Sequence, residues 1–222
     1  MRSAFAKGFA EALPLWMGVV PFALVYAAAG RTAGLAARDV QLMSLLVFAG
    51  GAQFTAVRLL AQGAPGVMLV AATGLINLRH VLYGLSLAPH LGRIRGWLRG
   101  LMAFLLVDES YGLAVRAYLA GRGSVPYVLG LGTSMYLAWN LGTAVGSASV
   151  ALLPDPRRAG LDLVFPLTFV ALLGPFLRRA NNRRAALAAF LLGIVAVPSL
   201  PGGLGFVLAT LVGVLVGVWG HD

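Results

Sequence analysis

Hydrophobic residues run along this chain in eight long stretches, 12–30, 40–62, 66–88, 98–120, 125–152, 161–177, 185–200 and 203–219, parted by short polar breaks. A helix needs roughly 20 residues to cross the hydrocarbon core of a bilayer. The stretches are continuously apolar and do not alternate, which predicts helices and not the shorter, two-periodic strands of a barrel. The pattern predicts an all-α fold: a polytopic integral membrane protein whose residues 1–222 form one transmembrane domain. Seven or eight transmembrane helices are expected, some broken or re-entrant.

Three stretches are irregular. In 40–62, adjacent Gly50 and Gly51 with Gln53 weaken a simple helix. A broken helix is expected there, with its freed backbone groups facing protein or water. The stretch 125–152 is long and punctuated by glycine, and its Gly142/Gly146 spacing, like Gly213/Gly217, suits close helix contacts. The break Pro198-Ser199-Leu200-Pro201-Gly202-Gly203 reads as a tight hairpin. Leu13-Pro14-Leu15 with Pro21-Phe22 is echoed by Phe165-Pro166-Leu167 with Pro175-Phe176. Such pairs of proline-broken helices occur in transporter repeats, and also by chance.

Composition sharpens this picture. Only 11% of residues are charged and mean hydropathy is +0.87, whereas soluble domains carry about 25% charged residues. The net charge of +10 does not point to nucleic acid. Its cations sit in the breaks, as at Arg93, Arg95 and Arg99 or Arg178, Arg179, Arg183 and Arg184, where membrane loops and lipid headgroups account for them. With eight simple crossings, one side receives Arg2, Lys7, Arg122 and the arginines at 178–184, and the other Arg31, Arg38, those at 93–99, Arg157 and Arg158. That is seven cations against seven, so charge does not orient the chain unless a segment fails to cross, and 40–62 is the first suspect.

No cysteine is present, and His80, His90 and His221 lie far apart, so no metal or cofactor is expected. No GxSxG elbow supports a hydrolase. Residues 1–30 have the outline of a signal peptide, with Arg2 and Lys7 before an apolar run. They are read here as a first transmembrane helix.

Four places carry polar chemistry at apolar depth. Asn77-Leu78-Arg79-His80 followed by Tyr83 lies inside 66–88. An arginine at a helix centre costs about 2.5–3.5 kcal/mol on the insertion scale, so it needs a partner, a cavity or a function. Helical spacing sets Arg79 with Tyr83 on one face. Asp108-Glu109 is the chain's adjacent acidic pair, and its two side chains diverge by about 100° on a helix. One suits pairing with Arg79 or Arg116, the other a substrate ammonium or a proton. Gly50, Gly51 and Gln53 offer backbone groups at a helix break. Asn140 is a substrate contact or a hydrogen bond between helices.

These segments resemble the AzlC family, large subunits of branched-chain amino acid exporters. The resemblance is carried by Ser44 to Gln53 (Ser-x-x-Val-Phe-Ala-Gly-Gly-Ala-Gln), by Asn77 to His80 with Leu82-Tyr83-Gly84, and by Leu87-Ala88-Pro89-His90. Asp108 to Tyr111, Leu153-Pro154-Asp155, Gly160-Leu161-Asp162 and Leu200-Pro201 extend it. Ser110-Tyr111 stands where other members often carry threonine and phenylalanine. The resemblance implies export of leucine, isoleucine and valine, a multi-pass protein of the bacterial inner membrane, and a small AzlD-type membrane subunit needed for activity. For a zwitterionic cargo, Gly50, Gly51, Gln53, Asn77, Arg79, Asp108 and Asn140 are the expected contacts. His80, Tyr83, Asp108 and Glu109 are the expected gating or proton-coupling groups. The alternatives are a non-transporting scaffold or sensor subunit and a passive channel.

Overall fold

The structure, a computed structural model, describes residues 2–91, 94–151, 177, 179–200 and 204–219, and its regular elements there are helices. The expected crossing over 161–177, save Leu177, and the second half of the proline echo lie outside the described residues.

The scaffold is a parallel helix pair. Helix α1 (Arg2–Ala12) and α2 (Trp16–Thr32) are joined by a tight turn at Leu13–Leu15 around Pro14. Proline lacks the N–H a continuous helix needs there, yet the span Ser3–Thr32 remains apolar and long enough to cross a membrane, as does Gly66–Leu91. Helix α8 (Val125–Ala151) lies along it. Gly8 abuts Tyr127, Gly142 abuts Val20 and Ala23, and Gly146 abuts Leu24 and Ala27, so residue numbers rise together. A Cβ on Gly142 or Gly146 would stand 2.7 or 2.8 Å from an alanine Cβ. Only glycine lets these backbones approach so closely.

Two helical hairpins fill the space beside this pair. The first is α3 (Ala37–Leu46) and α4 (Gly50–Ala61). The break falls at Phe48, whose φ of 40° is a left-handed conformation that costs a bulky residue roughly 1–3 kcal/mol. Val40 and Phe54 both pack on Tyr26: its hydroxyl donates to the Val40 carbonyl at 3.1 Å and its ring meets Phe54 at 5.6 Å. In one straight helix those residues would stand about 21 Å apart. Helix α4 therefore turns back toward the end where α3 began, and α5 (Gly66–Leu91) follows after a short turn.

The second hairpin corrects an expectation. The stretch 98–120 is not one crossing helix but α6 (Gly96–Leu105) and α7 (Asp108–Leu119), parted by extended Leu106 and Val107. Helix α7 runs the same way as α5: Tyr111 stacks on Tyr83 at 4.2 Å and donates to Ser86 at 3.0 Å, and Tyr118 stacks on His90 at 5.3 Å. The chain thus leaves α5 near His90, turns at the level of Tyr83 and returns. Its exit leads through 120–124 into α8, whose Tyr127 sits beside Gly8. The two hairpins enter from opposite ends of the bundle, and their tips meet where Phe48 and Phe104 pack around Tyr136 at 5.0 and 5.7 Å.

Helices α9 (Ala180–Ser199) and α10 (Leu204–Trp219) form a separate antiparallel pair. Asn181 donates to the Gly217 carbonyl at 2.8 Å, while Gly205 lies against Ala196. Leucine, valine, isoleucine and phenylalanine side chains stand exposed along both and along α5. Apolar surface on this scale is what a lipid-facing protein presents.

Candidate functional site

Each hairpin tip starts a half-helix, and both starts open on one cavity of about 650 Å³. Helix α4 begins at Gly50, where Trp139 leaves no room for a side chain: a Cβ there would lie 2.9 Å from the indole ring. Helix α7 begins at Asp108, where extended Val107 donates its N–H to the Ser110 hydroxyl at 2.9 Å and Ser110 is fully buried. The Ala49 N–H at the other break is taken by Gln53 Oε1 at 3.2 Å. Free N–H groups at such starts, with the aligned peptide dipoles, favour a negative group.

Arg79, near the middle of α5, donates from Nη1 to Asp108 Oδ2 at 2.5 Å, and the Tyr83 hydroxyl donates to Asp108 Oδ1 at 2.7 Å. Both carboxylate oxygens are thus engaged from α5. Arg79 also lies along Gly51, with Nη2 3.5 Å from where a Gly51 Cβ would be. Glu109 lines the same cavity. Among the lining residues one cation faces two carboxylates, so the cavity suits one further positive charge. Leu15, Val19, Phe22, Met135 and Trp139 line the same cavity with apolar surface. Charged and apolar lining together suit a small amphipathic zwitterion. Among the described residues, no three histidine, aspartate or glutamate side chains gather as a metal site would need.

Gly50, Gly51, Arg79, Asp108 and Glu109 line the cavity together, and Tyr83 reaches it through Asp108. The remaining candidates stand elsewhere. Gln53 is fully buried and donates to Ser44 Oγ at 3.0 Å, which also receives the Trp139 indole N–H at 3.1 Å and lies 2.9 Å from the Thr143 hydroxyl. It holds the first hairpin shut. Asn140 accepts from Gln41 at 2.9 Å and donates to the Tyr136 carbonyl at 2.9 Å, joining α3 to α8. Asn77 does not line the cavity, although its Oδ1 is buried without a partner. His80, whose Nδ1 lies 3.2 Å from the Asn77 carbonyl, faces a second cavity of about 340 Å³ between α5 and α6, together with Arg99. Sequence reading missed Trp139 and Ser44 as organisers of the site. The Ser44 signal was its place one helical hairpin away from Gln53, which only a known fold makes readable.

The AzlC protein family profile matches residues 14–153, a window that contains the whole cavity lining. An uncharacterized membrane protein of Archaeoglobus fulgidus is 31% identical, over 97% of this chain and 94% of its own length. The inner membrane protein YgaZ of Escherichia coli is 27% identical over 97% and 88%. The branched-chain amino acid transport protein AzlC of Bacillus subtilis is 23% identical over 96% and 83%. No solved structure matches the chain.

Proposed function

The chain belongs to the AzlC protein family, and on that premise we propose that it exports branched-chain amino acids across the cytoplasmic membrane with a small AzlD-type subunit. The observation that carries this reading is the amphipathic cavity at the meeting of the two hairpin tips. The substrate carboxylate docks at the Gly50–Gly51 start of α4, within reach of Arg79. Its ammonium faces Asp108 and Glu109, and its side chain lies on the Phe22–Trp139 wall.

The charge balance supports proton coupling through Glu109. Asp108 already has two donors, whereas among the described cavity-lining residues Arg79 is the one cation set against two carboxylates. An uncompensated charge at membrane depth is costly. Glu109 therefore takes a proton or the substrate ammonium, one excluding the other, and that exchange moves cargo against proton.

Among the described residues of α1 to α8, α1–α2, α5 and α8 cross the bilayer fully, and α3–α4 and α6–α7 each enter and leave by one side. The hairpin legs are 10 and 12 residues, about 15–18 Å long, half of a ~30 Å hydrocarbon core. Within the described residues of α1 to α8, Arg2, Lys7, Arg95, Arg99, Arg116 and Arg122 fall at the end where α1 starts, against Arg31, Arg38 and Arg58 at the other. The richer side is cytoplasmic.

Labelled leucine efflux from vesicles holding both subunits, with a pH gradient imposed and then collapsed, tests the function. Normal export by folded Asp108→Asn and Arg79→Gln variants would discard the site. A passive channel would show no counterflow against unlabelled leucine, whereas the carrier does. Because the chain lacks cysteine, single cysteines report topology directly. Gly34 and Gln62 label from outside, and Arg95 and Arg122 from inside. Labelling of Gln62 from inside and Arg95 from outside would restore simple crossings.

A further inference from the structure

We infer that Gly18 sets the largest side chain the cavity accepts, an inference that rests on the transport reading above. Gly18 lies on the apolar wall among Leu15, Val19 and Phe22, each a larger residue. Nothing in the fold requires glycine there. Its backbone is helical, within α2, and its φ is not positive. A Cβ built on it meets no heavy atom within 4 Å. The contrast with Gly142 and Gly146 is direct, since a Cβ at either would run into an alanine of α2. Glycine weakens a helix relative to alanine, so a helical glycine with empty space before it leaves volume where a side chain would otherwise stand. That volume opens on the cavity that Arg79, Asp108 and Glu109 also line, which takes the aliphatic end of a zwitterion held by its charged groups.

Hydrophobic pockets discriminate by about 10–200-fold per methylene. Filling the space before Gly18 therefore penalises leucine more than valine. The experiment uses the full chain with its small subunit in vesicles and reads the ratio of leucine to valine efflux in competition. Wild type, Gly18→Ala and Gly18→Val are compared, each checked for a monodisperse folded peak in detergent. The ratio falls slightly for Gly18→Ala and about tenfold or more for Gly18→Val, with the loss carried by a higher KM for leucine. An unchanged ratio overturns the inference, and so does an equal loss of both substrates. If Gly18→Val does not fold, the Gly18→Ala and Gly18→Ser ratios decide by the same criterion. Wild type that moves neither amino acid overturns the transport reading itself, a result separable from an unchanged ratio.

Discussion

The two hairpin tips solve the same problem with different chemistry. Each interrupts a helix at the depth of Tyr136, and each must satisfy the backbone groups that the break frees. The α3–α4 tip does so with neutral groups: Gln53 takes the Ala49 N–H, and Ser44 gathers Gln53, Trp139 and Thr143 in a buried network. It also holds Phe48 in a left-handed conformation, kept by packing on Tyr136. The α6–α7 tip stays extended, is capped by one serine, and carries Asp108 and Glu109. One tip is tied down by neutral hydrogen bonds and offers glycine backbone to the cavity. The other brings the charge, and answers to Arg79 on α5. Polar residues at bilayer depth therefore fall into two kinds, those consumed by the fold and those left facing the cavity.

The comparison predicts separable effects. Removing the cation that the charged tip answers to is the most damaging change. Arg79→Gln leaves two carboxylates unbalanced, and because the pair is partly exposed to the cavity efflux falls about tenfold, on the scale of ~1.4 kcal/mol. Initial efflux rates in vesicles check it. Glu109→Gln mimics the protonated carboxyl that excludes the substrate ammonium: leucine–leucine exchange falls and the residual efflux no longer responds to a pH gradient, whereas an unchanged pH response would return Glu109 to a structural role. At the neutral tip, Ser44→Ala lowers stability by about 1–3 kcal/mol through the unpaired groups it leaves, read as a drop in Tm in detergent, with KM for leucine little changed. Should KM rise instead, the division between the tips fails. Ser110→Ala is the mildest, about 1 kcal/mol for a lost cap, measured the same way.

Much of this was legible early. Arg79, Tyr83 and the Asp108–Glu109 pair stand out because charge is rare in apolar stretches, and the geometry joins them. The break just ahead of Gly50 was readable from the glycine pair that follows it. The break at Leu106–Val107 was not, because two aliphatic residues carry no turn signal and extended backbone there is imposed by what surrounds it. Gln53 and Asn140 looked like ligands for the same reason that Asp108 did. Only the identity of their neighbours, Ser44 and Gln41, separates the cases.

The sequence by itself determined that this chain is helical and rich in membrane-length apolar stretches, because hydropathy and residue type act locally and survive without a fold. It also determined which side chains are too polar to sit at depth without a reason. Direction was left to the tertiary structure. A run of some twenty apolar residues is the same whether it crosses or folds back on itself, and the choice rests on contacts between segments far apart in the chain, such as Tyr83 with Tyr111 and Tyr26 with Phe54.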